Sequence, residues 1–189
     1  MLTIKDINDY FYEINEGLKH AGKKGEIIIA GGAAMAAIYK AREATKDIDA
    51  IFEPAREIRE VAETMAKKYD LDGDWLNDGI KGFLSEKLKV ETYREYSHLT
   101  VKNIDAEGLL ALKLTSAREA GADMDDCIFL MKHLKIKKLD ELYAIIEKYA
   151  YKNQQTPKSC YFTQVVFEKY LEERHWEKKL TNTPKRKGR

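Results

Sequence analysis

At 189 residues, 44% hydrophobic and 34% charged, the chain is long enough for one domain with a real core and a helical appendage. Its 33 basic and 32 acidic side chains leave a formal charge of +1, which excludes a global polyanion-binding field and leaves nucleic-acid contact to a local patch. No apolar run approaches the roughly 20 residues that span a bilayer, and two isolated cysteines, Cys127 and Cys160, form neither a disulfide framework nor a metal-ligand pair.

The start, MLTIKDINDYF, lacks the basic and apolar regions of a signal peptide, so cytoplasmic residence with no membrane partner is expected. Thr3 and Asp6 have capping-box spacing ahead of Ile7, Tyr10, Phe11, Ile14 and Leu18, one face of an amphipathic helix. Ala21 to Gly25 turns the chain into Ile27, Ile28 and Ile29, whose composition is that of a strand covered on both faces. Gly31 and Gly32 follow at once. Without a Cβ they let backbone N–H groups come close to a ligand, and a helix expected from Ala33 to Lys40 points its N-terminus at the same place. That is the layout of a phosphate seat.

Asp47 and Asp49 lie two apart in KDIDAIF, so a strand there puts both carboxylates on one face while Ile48, Ala50 and Phe52 take the other. Neighbouring acids are costly unless a cation neutralises them. Magnesium, or manganese in its place, accepts carboxylate oxygens and shares its remaining positions with water and nucleotide phosphates. A Gly-Gly alone is usually a turn, and a D-x-D alone is usually solvated surface. In this order, with a helix between them, they suit a metal-nucleotide complex.

Pro54 opens a helix in which Ile58, Val61, Ala62, Met65 and Tyr69 share a face. Asp70 to Gly82 has the composition of a loop, with Trp75 read as its anchor to the core. Leu88 to Tyr96 and Leu99 to Ile104 read as a hairpin, and His98 at its turn as a surface residue. From Asp105, a helix cap, the period becomes helical, and Leu109, Leu110, Leu112 and Leu114 leave little polar circumference. Lys113 sits inside that run, where an unpaired ammonium is expensive, so it must either snorkel or meet an anion such as Asp47, Asp49 or a nucleotide phosphate. Gly121 can end this helix and Asp123 cap the next, which turns Ile128, Phe129, Met131 and Leu134 inward. Capping does not explain Asp125 and Asp126 as well. Helices over Leu139 to Tyr151 and Cys160 to Arg174 follow, broken by Pro157. The basic tail, 175–189, is expected to be mobile and could attract RNA or another acidic partner.

The segment IIIAGGAAMAAIYKAREATKDIDAIF, Ile27 to Phe52, resembles the first motif of the DNA polymerase beta-like nucleotidyltransferase superfamily. With DWLNDGIKGFL (Asp74 to Leu84) and LLALKLTSAREAGADMDDCIFL (Leu109 to Leu130), the chain is similar to minimal nucleotidyltransferases related to AbiEii-type abortive-infection toxins, over about Ile27 to Leu134. The resemblance implies an α/β (α+β) fold: a small mixed-sheet core over 1–105, then a helical region over 106–174 that packs on it. It implies transfer of a nucleoside monophosphate from an NTP to a hydroxyl of tRNA or of a protein. It also implies a toxin-antitoxin or phage-defence setting with a cognate antitoxin or operon partner.

By the same resemblance Asp47, Asp49 and Lys113 are catalytic, and Asp47 and Asp49 hold the metal. Gly31, Gly32, Ala33, Lys113 and Arg118 bind nucleotide, with Glu91, Asp123 and Asp126 as supporting acids. Two departures stand out. Ala33 occupies a position where many members carry Ser or Thr, and Glu91 and Glu95 are the only acids on the strand where a third metal ligand is expected. The alternatives are a catalytically inactive binding or antitoxin-like module of the same fold and, from a different class, an RNA-binding adaptor that uses the tail.

Overall fold

The computed structural model describes residues 1–83, 86–116 and 122–181. The first turn of the chain forms as its spacing predicts: Thr3 Oγ1 accepts the Asp6 N–H at 3.2 Å and Asp6 Oδ2 accepts the Thr3 N–H at 2.9 Å. This reciprocal box starts α1 (Ile4–His20), which buries Ile7, Phe11, Ile14 and Leu18. The short β1 (Leu2–Thr3) pairs antiparallel with β3 (Ala44–Thr45) and so ties the N-terminus to the segment that leads into the D-x-D.

A five-stranded mixed sheet forms the core. In spatial order its strands are β5 (Leu76–Asn77), β4 (Ile48–Glu53), β2 (Gly25–Ile29), β7 (Leu99–Ile104) and β6 (Val90–Glu95). β2 runs antiparallel to β4 and parallel to β7, while β6 and β7 make the expected hairpin. Helix α2 (Gly31–Ala37) connects β2 to the β3 segment, and α3 (Ala55–Tyr69) follows β4.

The register places Ile27, Ile29, Ala50, Phe52 and Val101 on one face, all buried. Ile28, Asp49, Ile51 and Lys102 lie on the other face and are half-buried. β2 is therefore covered fully on one side only, which corrects the expectation from its three isoleucines. Strand composition reports how much apolar area a segment can bury, but neighbouring elements decide which face is closed.

Trp75 anchors its loop as expected. It is 1% exposed, donates Nε1–H to the Ala62 carbonyl at 3.1 Å and meets the Tyr10 ring edge-on at 5.2 Å. That anchor positions β5, a two-residue strand parallel to β4 that the loop-like composition had hidden. His98 is held through its backbone N–H by Asn15 Oδ1 at 2.8 Å. It sits at the start of β7, whereas the Gly-Gly turn follows the end of the parallel β2.

Asp105 Oδ1 accepts the Gly108 N–H at 2.8 Å and starts α4 (Ala106–Ser116), around which α5 (Ala122–His133), α6 (Leu139–Tyr149) and α7 (Pro157–Thr181) pack. Leu142, Ile145, Ile146 and Tyr149 form the buried face of α6. Glu107 joins α4 to α6 by accepting from Lys148 Nζ at 2.7 Å and Tyr149 Oη at 2.9 Å. Helix α7 continues past Arg174 to Thr181, which corrects the expectation of a mobile tail for 175–181, while 182–189 lie outside the described residues. Ion pairs from Lys132 to Glu173 at 2.9 Å and Glu177 at 2.8 Å support this last stretch. No helix among the described residues is long and apolar enough to cross a membrane.

Candidate functional site

The turn after β2 and the start of β4 meet at one point. Ala30 donates its N–H to the Asp49 carbonyl at 2.9 Å, extending the β2–β4 ladder by one bond. The chain then turns at Gly31, whose φ of +55° lies in the left-handed region that favours glycine. A Cβ built on Gly31 would stand 2.5 Å from Asp49 Oδ2, so the missing side chain leaves room for the carboxylate. Asp49 is half-buried and its carboxylate has no hydrogen-bond or ion-pair partner among the described residues. Asp47, also half-buried, lies one residue before β4.

Gly32 is crowded by other groups. A Cβ there would collide with Thr45 Oγ1 and come within 3.1 Å of Arg42 Nη1. Arg42, on the connection from α2 to β3, directs its guanidinium at Asp126 of α5, with Nε 3.2 Å from Oδ1 and Nη2 against Oδ2. Asp126 Oδ2 also forms an ion pair with Lys113 Nζ at 2.6 Å, and Asp123 Oδ1 accepts a hydrogen bond from the same ammonium at 2.9 Å. Polar groups thus run without a break from the Gly-Gly turn through Arg42 and Asp126 to Lys113 and Asp123.

Lys113 is 6% exposed and does not snorkel. Its anions are Asp123 and Asp126, not the D-x-D acids named as candidates from the sequence, because α4 and α5 pack side by side and bring those carboxylates to it. Asp123 lies within the first turn of α5, one residue after the helix begins, and spends its carboxylate on Lys113 instead of on a cap. Asp126, 4% exposed, is the buried charge that most needs partners, and it has two cations.

The remaining candidates separate. Ala33 is fully buried, so its side chain faces the core and only its backbone could reach a ligand. Glu91 pairs in register with Asn103, Asn103 with Ile29, and Ile29 with Ala50, which puts Glu91 on the sheet face opposite Asp49. Its side chain is exposed. Arg118 lies outside the described residues. Helix α2 begins at Gly31, two residues earlier than its sequence suggests, and ends at Ala37. Two residues escaped the sequence reading altogether, Arg42 and Thr45. The available signal was their position between the Gly-Gly and the D-x-D, with Thr45 two residues before Asp47.

An aromatic wall borders the network one turn further along α5. Tyr39 meets Phe129 edge-on at 6.4 Å and His133 at 5.4 Å. Burial pushes the Tyr39 hydroxyl up to about 12, with the charges of Glu91 and Asp105 adding to the rise. A shallow cavity of about 430 Å³ lined by Lys24, Gly25, Glu26, Glu53 and Pro54 lies at the opposite end of β2 and β4. It is remote from every group just described and is mostly open surface.

No group of three or more His, Cys, Asp or Glu side chains suited to a metal occurs among the described residues. An ion held by two carboxylates and completed by nucleotide oxygens and water requires no third protein acid, and magnesium is commonly bound in that way. The absent Cβ of Gly31 lets Asp49 Oδ2 pack against the turn, and Asp47 and Asp49 are the two carboxylates that would hold such an ion.

Residues 5–174 match the family DUF6036, described as a nucleotidyltransferase of unknown function. No curated protein and no solved structure matches the chain.

Proposed function

Because the chain belongs to the DUF6036 nucleotidyltransferase family, we propose that it transfers a nucleoside monophosphate from an NTP to an acceptor hydroxyl. The observation that carries this reading is the contact of an unpartnered acid, Asp49, with a glycine turn that has room for it. The acceptor oxygen attacks the α-phosphorus, the bond from the α-phosphorus to the bridging oxygen breaks, and pyrophosphate leaves. The hydroxyl proton passes to solvent.

In this reading Asp47 and Asp49 hold magnesium or manganese. When bound, that ion stabilises charge on the attacking and leaving oxygens. The backbone at Gly31 and Gly32 approaches the outer phosphates. Lys113 contributes a fixed positive charge behind the turn, oriented by Asp123 and Asp126. The relation to AbiEii-type toxins, a tRNA or protein acceptor, and a toxin-antitoxin or defence role with a cognate antitoxin belong to the same proposal.

One observation favours a second reading, a binding module without catalysis. The Lys113 ammonium already has two carboxylate partners and little exposure, so it has limited freedom to meet a phosphate. Incubation with each α-labelled NTP, magnesium and a whole-cell extract separates the two. The enzyme reading expects label on a macromolecule that is lost in Asp49→Asn. Binding of NTP with no label transferred from any of the four supports the module instead.

A further inference from the structure

Thr45 is 3% exposed, yet its hydroxyl has no hydrogen-bond partner among the described residues. Its Oγ1 points at Gly32, into space that a β-carbon would occupy. Arg42 brings a second donor to the same place. Its Nε and Nη2 are committed to Asp126, while Nη1 has no partner among the described residues and lies 3.1 Å from that same β-carbon position. No buried side-chain N or O among the described residues lacks a partner, so Thr45 Oγ1 keeps access to water at the turn and can exchange that water for a ligand oxygen. A guanidinium fixed at one edge offers its other edge at low entropic cost.

We propose that Thr45 Oγ1 and Arg42 Nη1 form a two-donor subsite for the polyphosphate of an NTP at the Gly31–Gly32 turn, supplying from β3 the side-chain contact that the buried Ala33 lacks. This rests on the nucleotidyltransferase reading for the identity of the ligand, though the donors alone specify a phosphate-type anion. Both are donors and the arginine carries charge, which suits phosphate oxygens with several lone pairs. Because Asp126 holds Arg42 and Lys113 together, an anion at this subsite is sensed by the helical half as well. Thr45 is itself fixed by the β1–β3 pairing, Leu2 opposite Thr45, so the donor is positioned before the ligand arrives.

The test uses the full chain and calorimetric titration with inorganic triphosphate, which reports phosphate contacts without a base or a ribose. Thr45→Val removes the hydroxyl at constant shape, Thr45→Ser restores it, and Arg42→Lys keeps the charge but loses the fork. Thr45→Val and Arg42→Lys are each expected to weaken triphosphate binding roughly tenfold, as for a hydrogen bond to a charged group, with Thr45→Ser within about twofold of the parent. Unchanged thermal unfolding of Thr45→Val and Thr45→Ser shows that the comparison concerns binding. If the parent binds triphosphate and both variants bind it equally well, the subsite is wrong while the nucleotidyltransferase reading stands. Weakened binding in the variants with no nucleotide transfer by the parent supports the subsite and sinks that reading. A parent that binds neither triphosphate nor NTP overturns both.

Discussion

The carboxylate of Asp49 takes the space that a β-carbon on Gly31 would need, with Oδ2 2.5 Å from that position. Gly31→Ala therefore fails twice. Its left-handed backbone costs an L-residue about 1–2 kcal/mol, and the new methyl displaces the acid. Chemical denaturation is expected to show at least that loss, together with weaker NTP binding. Gly31→Ala with parental stability and affinity would mean that the turn tolerates a side chain and that the contact is incidental.

Asp49→Asn removes a carboxylate charge that has no partner among the described residues, so without metal that variant should keep its stability or gain a little; the double variant Asp47→Asn/Asp49→Asn tests the metal site. Magnesium-dependent NTP affinity should fall by at least an order of magnitude, since a neutral amide is a poor ligand for a hard cation. Calorimetry with and without magnesium measures both. Equal magnesium dependence in the parent and the double variant would remove these acids from the metal site.

Asp126 and Lys113 should differ in what their removal costs. Asp126→Asn leaves two cations, Arg42 and Lys113, facing each other without their shared anion, and a loss of about 3–5 kcal/mol is expected. Lys113→Met leaves Asp126 its arginine and frees only the less buried Asp123, so about 2 kcal/mol is expected. Denaturant midpoints with unchanged slopes give the ranking. The reverse order would show that Lys113, not Asp126, is the centre of the network.

Tyr39 links pH to stability. Burial raises its hydroxyl from 10.0 to about 12, so between these values the folded chain holds a proton that the unfolded chain has released. The stabilisation is complete below pH 10 and declines as pH rises toward 12. Tyr39→Phe cannot ionise and should lose less stability than the parent between pH 9.5 and 11.5, a window chosen to straddle about 10, the free tyrosine value. Parallel unfolding curves for the two proteins would show that Tyr39 ionises freely.

Local chemistry was legible wherever neighbours in sequence are also neighbours in space. The Thr3–Asp6 box, the Asp105 cap, the β6–β7 hairpin and the apolar face of α6 depend on contacts within a few residues, so their spacing determines them. The Gly-Gly turn and the D-x-D were visible for the same reason, as short patterns whose backbone requirements are local. Tertiary structure alone decided which face of β2 stays open, because that depends on where α1 and α3 settle. It also decided the partner of Lys113 and the roles of Arg42 and Thr45. Arg42 and Asp126 are 84 positions apart and meet only when the helical half packs on the core. A periodicity shows that a buried lysine needs an anion, but the packing of α4 against α5 determines which acid supplies it.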